Sequence, residues 1–303
     1  MATNKAGSPK KKVAATPVAP SKNVTKTKVT TVRASDKSVA ASPASGTRFG
    51  KKLPENIVSV VFVELLGTFA LTLVAVLALS SFAPLYLGLA LVALFMAVGA
   101  VSGAHLNPAV TFGIWAARRM PIATAAFYWL AQLIGAMAAV VALNWISNGS
   151  YAVQFGNFTS LNWAVLAAEL VGTAAFLYGV MAAVNHASAS TAHKALGVGL
   201  SLMLGLLIST SLLNAAQSGV DQSKISSVKD VPHELRVKAT TLNPAIAIAA
   251  TENTDTQLQG GSSQKGEKQV SRFSLEVILG SLIGAALGAN LYLLSLYRTR
   301  VRR

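Results

Sequence analysis

The chain has 303 residues, of which 52% are apolar and only 12% charged, and it carries a net charge of +15 with a mean hydropathy of +0.51. The charged fraction lies far below the roughly 25% usual in soluble domains, which argues against a soluble fold, whereas a bilayer accommodates apolar surface on this scale. Cysteine is absent, which excludes disulfide frameworks and thiolate metal sites.

Residues 1–53 hold twelve Lys/Arg against one acid, Asp36, and few large apolar residues. This composition predicts a disordered basic tail, and the missing apolar h-region sets it apart from a secretory signal peptide. The tail reads as a solvated extension, with attraction to anionic lipid headgroups as the next reading. No folded recognition module accompanies the charge, so nucleic acid is not an expected partner.

Six apolar runs follow, at about 57–79, 85–101, 123–145, 163–184, 195–213 and 275–297. At about 1.5 Å per residue, five of them are long enough to cross a hydrocarbon core of about 30 Å. The second needs a helix that starts a few residues earlier, near Phe82. Six spans place both termini on one face. That face holds 19 of the Lys/Arg, including Arg118, Arg119, Lys194 and the closing Arg298, Arg300, Arg302 and Arg303. The other face holds seven: Lys224, Lys229, Arg236, Lys238, Lys265, Lys268 and Arg272. The excess of positive charge predicts cytoplasmic termini.

Two shorter segments, 102–117 and 240–250, begin polar and turn apolar. Each is too short to span, and each is read as a half-helix dipping into the membrane, which requires protein or a water-filled cavity around it. The chain also repeats. Glu64-Leu65-Leu66-Gly67-Thr68 returns as Glu169-Leu170-Val171-Gly172-Thr173, and Asn107-Pro108-Ala109 returns as Asn243-Pro244-Ala245. Three spans per repeat is an odd number, so the halves are inverted, and inverted repeats with discontinuous helices mark a transport pathway.

Asn is a good N-cap and Pro suits the first helical turn, so a single Asn-Pro-Ala needs no function. Two copies in matching places of inverted halves point further. Half-helices entering from opposite faces present their amino ends, each with roughly half a positive charge, to a common point. Cations meet a barrier there and protons cannot hop along a water chain, whereas a neutral acceptor can take hydrogen bonds from Asn107 and Asn243. Glu64 and Glu169, costly inside apolar spans, are expected to face the bundle and accept N–H groups from the re-entrant loops, with Gln132 acting similarly. The carbonyls of Gly103, Ala104 and His105 are candidates to line the pore. Gly280, Gly284 and Gly288 are read as helix packing.

The stretch Ser102-Gly103-x-His105-x-Asn107-Pro108-Ala109-Val110-Thr111, with Tyr128-x-x-x-Gln132-x-x-Gly135 in the third span, resembles the aquaporins and glycerol facilitators of the major intrinsic protein family, and the resemblance covers residues 57–297 apart from two extramembrane stretches, 214–239 and 251–272. The resemblance implies an all-α membrane protein with six transmembrane helices, two re-entrant half-helices and inverted three-span repeats. It also implies a homotetramer, with one pore per subunit, that passes water or small uncharged solutes through the plasma membrane. No enzyme activity, cofactor or metal is expected. The domains read as the tail 1–53, a channel domain 54–298 (repeats at about 54–146 and 162–298) and a basic end 299–303. Carried over from the family, the outer filter falls on Leu87, Leu206, Thr240 and Ile246, where Ile246 stands in place of the family's usual Arg. Leu206 to Asn243 is also longer than the family needs, so 214–239 reads as an outer insertion, whose Arg236 or Lys238 is a candidate substitute for the lost Arg. A closed pore serving a structural or adhesion role on the same fold is the alternative.

Overall fold

The computed structural model describes residues 53–78, 82–149, 151–261, 267 and 269–301. The basic tail, apart from Leu53, and the last two arginines lie outside these. Ten α-helices are present among the described residues: α1 (Ile57–Leu77), α2 (Ala83–Ser102), α3 (Pro108–Ala116), α4 (Ile122–Ile146), α5 (Trp163–Asn185), α6 (Thr191–Ser218), α7 (His233–Arg236), α8 (Pro244–Ala249), α9 (Asp255–Leu258) and α10 (Leu275–Val301). Six of them, α1, α2, α4, α5, α6 and α10, are long and apolar enough to cross a membrane. The protein is an integral membrane protein of six spans and two half-helices, α3 and α8.

Each span begins or ends for a local reason. α2 starts at Ala83, capped by Phe82 with Pro84 in its first turn, so the short apolar run does become a full span. α5 is capped by the Asn162 side chain, which accepts from the Ala164 and Val165 amides. α6 runs to 28 residues, well beyond the apolar run at 195–213. Ser190 caps it by accepting from the His193 amide, and its far end continues through the polar Asn214–Ser218 turn. The expected insertion boundary at 214 therefore falls inside a helix. At that end, the Gln217 side-chain amide donates to the Glu234 and Val237 carbonyls, both at 2.8–2.9 Å, and so ties the insertion back to the helix.

The spans pack through small residues. A Cβ on Gly284 or Gly288 would run into the Leu170 and Ala174 carbonyls of α5, and one on Gly280 would press on Glu169. α5 and α10 therefore touch backbone to backbone, as the four-residue glycine spacing allows. The same exclusion holds between Gly135 of α4 and the Leu65 carbonyl of α1. Large aliphatic side chains such as Leu130, Val141, Leu204 and Leu291 point outward and are exposed, as a lipid-facing surface requires. On the face away from the termini, a two-stranded parallel ladder, β1 (Val153–Gln154) with β2 (Gln269–Val270), joins the loop before α5 to the segment before α10.

Candidate functional site: the meeting of two half-helices

α3 and α8 start the same way. Asn107 and Asn243 are extended N-caps whose side-chain oxygens accept from the Ala109 and Ala245 amides at 2.8 and 2.9 Å, each followed by Pro at the first helical position. With the oxygen fixed, each amide nitrogen has a set direction. Asn107 Nδ2 donates to the Leu242 carbonyl at 2.8 Å, and Asn243 Nδ2 donates to the Leu106 carbonyl at 3.0 Å. The two motifs, 136 residues apart in the chain, thus hold each other by a reciprocal pair of hydrogen bonds. Both asparagines are buried, as are Pro108, Ala109, Pro244 and Ala245.

The residue before each Asn is a second matched feature, and nothing in the motif announces it. Leu106 and Leu242 both lie in the left-handed region, with φ of 49° and 51°, and both are fully buried. That conformation costs a non-glycine residue about 1–3 kcal/mol and persists only where the surroundings impose it. Here both ends of each leucine are held. The Leu106 amide donates to Glu64 Oε2 at 2.7 Å, and the Leu242 amide donates to Glu169 Oε2 at 2.8 Å. Their carbonyls receive the opposing asparagines. The two Glu-x-x-Gly-Thr repeats therefore supply one carboxylate to each loop.

The carboxylates reach further. Glu64 Oε1 also accepts from the Ser102 hydroxyl at 2.6 Å and the His105 amide at 2.9 Å, and Gln132 Nε2 donates to Glu64 Oε2 at 2.9 Å. Gln132 Nε2 additionally donates to the Thr111 hydroxyl at 3.0 Å, which links the carboxylate to the first turn of α3. Glu169 Oε1 accepts from both the amide (2.8 Å) and the hydroxyl (3.3 Å) of Thr241. With the amides of His105 and Leu106 turned toward Glu64, the carbonyls of Gly103, Ala104 and His105 accept no hydrogen bond among the described residues. Gly103 supports this turn at φ +85° as the C-cap of α2. His105 Nδ1 pairs with the Thr111 hydroxyl at 3.0 Å.

A narrow cavity lies where the half-helices meet. It is walled by Asn107, Asn243, His105 and Thr241 on one side of its chemistry and by Leu71, Leu87, Leu91, Phe176, Leu202 and Ile246 on the other. The room for water centres is about 10 Å³, about that of a single water molecule. Of the four expected filter residues, Leu87 and Ile246 line this cavity, and Leu206 joins them in one apolar cluster. The fourth, Thr240, has its hydroxyl 2.6 Å from Ser209 Oγ, which in turn donates to the Leu206 carbonyl at 3.1 Å. Arg236 and Lys238 line none of the cavity. The Arg236 guanidinium donates to Asp255 at 2.9 Å and to the Val228 carbonyl at 2.7 Å. Lys238 is exposed.

A polar group that sequence reasoning missed lies on the same outer side. Arg272, 1% exposed, donates through one nitrogen to Glu276 at 2.9 Å and to Glu252 at 3.3 Å, and His233 Nε2 sits 2.8 Å from Glu276. These four residues come from the insertion, the stretch after α8 and the start of α10. Their only sequence signal is the Arg272/Glu276 spacing of four.

The sequence model of the major intrinsic protein family matches residues 81–219, which include the first Asn-Pro-Ala and four of the six spans. Over 141 residues, 43% of this chain, it is 33% identical to aquaporin Z of Rhodopseudomonas palustris and covers 58% of that protein. Over 130 residues, 41% of this chain, it is 36% identical to aquaporin TIP2-1 of Arabidopsis thaliana and covers 49% of it. Within residues 81–219 the chain is thus similar to the major intrinsic protein family. Its matches span about half the length of these curated relatives. Among solved structures, the aquaglyceroporin of Plasmodium falciparum aligns with 78% of this chain and 93% of its own, at 18% identity and a TM-score of 0.46. The second Asn-Pro-Ala lies beyond the matched stretch, which ends where α6 gives way to the insertion.

Proposed function

We propose that this protein is a passive channel for water and uncharged solutes of similar size, assembled as a homotetramer in the plasma membrane with both termini cytoplasmic. The observation that carries the reading is the reciprocal pair of bonds from Asn107 Nδ2 and Asn243 Nδ2 to the carbonyls of Leu242 and Leu106. It sets the amino ends of α3 and α8 against each other beside the cavity. An amide nitrogen has two hydrogens. One is committed to the opposing loop, and the second is available to an oxygen passing between the motifs. A molecule in transit accepts from the asparagines and donates to the carbonyls of Gly103, Ala104 and His105. A cation or hydrated proton meets two positive helix ends in a low-dielectric wall and is turned back.

The outer filter refines the solute class. Leu87, Leu206 and Ile246 offer no hydrogen bond, and the Thr240 hydroxyl is engaged by Ser209. A polyol would shed water there with little in return, since burying an unpaired hydroxyl costs roughly 1–3 kcal/mol. Water and small solutes with few polar groups cross more readily. With no Arg at the position of Ile246, ion exclusion rests on the central half-helices. Orientation follows from the count of 19 against seven Lys/Arg on the two faces and the positive-inside rule. The names of the relatives, both aquaporins, agree with the reading.

The same aliphatic collar and one-water cavity support a second reading, a closed pore with a structural or adhesion role. Stopped-flow measurement on proteoliposomes separates the two. A channel raises permeability to at least one of water, glycerol, urea and ammonia above that of empty vesicles. A closed pore raises none.

A further inference from the structure

The outer insertion is anchored by buried charge, although a solvated loop would need no such anchor. Arg272 and Glu276 are 1% and 0% exposed, and Glu252 is 2%. Burying two carboxylates and a guanidinium costs several kcal/mol per ion unless partners are arranged for them. The partners are specific. Arg272 bridges both acids, the Asn162 amide donates to Glu276 at 2.8 Å, and Asn157 Nδ2 donates to Glu252 at 2.8 Å. Two acids face one arginine, and the remaining positive charge is available from the insertion: His233 Nε2 lies 2.8 Å from Glu276 and 3.6 Å from Glu252. With His233 charged, the group balances. With it neutral, the group carries one uncompensated buried negative charge.

The other charges around His233 do not alter this count. Glu234, its neighbour on α7, accepts from Asn162 Nδ2 at 2.7 Å, and Arg236 pairs with Asp255. Burial works against a charged imidazole, but the hydrogen bond and charge of Glu276 and the charge of Glu252 outweigh burial and the opposing Arg272, so the His233 pKa is raised above its ordinary value. The sign follows. A pKa raised by docking means that docking is strongest where the imidazole is charged, fully present below the free value of about 6.5 and lost as pH rises through the raised value.

The chain leads from this anchor directly to the filter. Four residues after α7 comes Thr240, and Thr241 and Leu242 follow on Glu169. Gln217 holds the Glu234 and Val237 carbonyls between them. We propose that His233 is a positioning residue for the outer filter: docked on Glu276, Glu252 and Arg272, it clamps the 233–240 segment in the narrow arrangement and makes passage depend on proton concentration at the face opposite the termini. Protonation keeps the clamp shut and the collar tight. Deprotonation loosens the segment and raises flux.

This inference rests on the channel reading, and its test tells the two apart. Full-length protein in proteoliposomes is equilibrated at a series of pH values from about 5 to about 8.5, and water permeability is measured by stopped flow. The wild type is expected to rise about fivefold across the series, within the range usual for coupling of this kind. His233→Gln keeps a hydrogen-bonding side chain that does not titrate and should give a flat profile. His233→Lys keeps the charge and should stay low throughout. Of the other histidines, His186 and His193 are exposed on the face of the termini and His105 lines the cavity. The double substitution H186Q/H193Q should leave the profile unchanged. A flat wild-type profile, or a profile that survives in His233→Gln, overturns the inference. Wild-type flux that ignores pH leaves the channel reading standing, whereas no flux at any pH overturns both.

Discussion

At the scale of single residues, the organising fact is that two leucines are held in a conformation leucine avoids. Leu106 and Leu242 are pinned by a carboxylate at the amide and an asparagine at the carbonyl. Glu169→Gln should therefore do more than remove a charge. A glutamine presents one acceptor and one donor to the Thr241 and Leu242 amides, both donors, so one of them is left facing an N–H. The expected cost is about 1–3 kcal/mol, read as a lower unfolding temperature of the solubilised protein and a fall in flux. An unchanged unfolding temperature would contradict the role given to the carboxylate. At the collar, Ile246→Arg adds a positive charge and donors beside the cavity. The account expects the range of permeant solutes to narrow, measured as the ratio of larger solutes to water in stopped flow; an unchanged panel would mean that this side chain does not border the path. The motif asparagines and the two glutamates were legible in the sequence because each occurs twice at equivalent places. The paired leucines were not, since nothing in residue type marks a leucine for positive φ.

At the scale of elements, long apolar runs reported the spans well, because length and hydropathy measure the physical requirement of crossing lipid. They under-reported α6. Its last turn is polar and helical beyond the apolar run, stabilised by the Gln217 bonds to the insertion, and hydropathy is blind to a helix that continues into water. The His233, Glu252, Arg272 and Glu276 group escaped for a related reason. Most of its members are far apart in sequence, in loops whose charge reads as ordinary solvation. Helix contact offers a test at this scale. Gly284→Val puts a branched side chain against the Leu170 backbone of α5. Overpacking of this kind costs about 1–3 kcal/mol. A clear drop in thermal stability in detergent is expected, and a neutral result would mean that α5 and α10 do not approach this closely.

At the scale of the whole molecule, the inverted halves make one site from two. Neither Asn-Pro-Ala is complete alone: each donates to the backbone of the other, and each rests on a glutamate from the first span of its own half. The polar centre is therefore built twice, while the apolar lining that includes Leu87 and Ile246 is built once. That division predicts where selectivity fails first. Asn243→Asp removes the donor to the Leu106 carbonyl and sets a carboxylate between the helix ends, so proton or cation leak should rise, whereas Ile246 variants should alter the solute range with little leak.

The most direct test of the central claim is a paired measurement on proteoliposomes of the full-length protein: osmotic water flux by stopped flow, and proton flux by a trapped pH-sensitive dye under an imposed gradient. The account predicts water flux above that of empty vesicles with no added proton flux. Proton flux that rises together with water flux, or water, glycerol, urea and ammonia permeability no greater than that of empty vesicles, would contradict it.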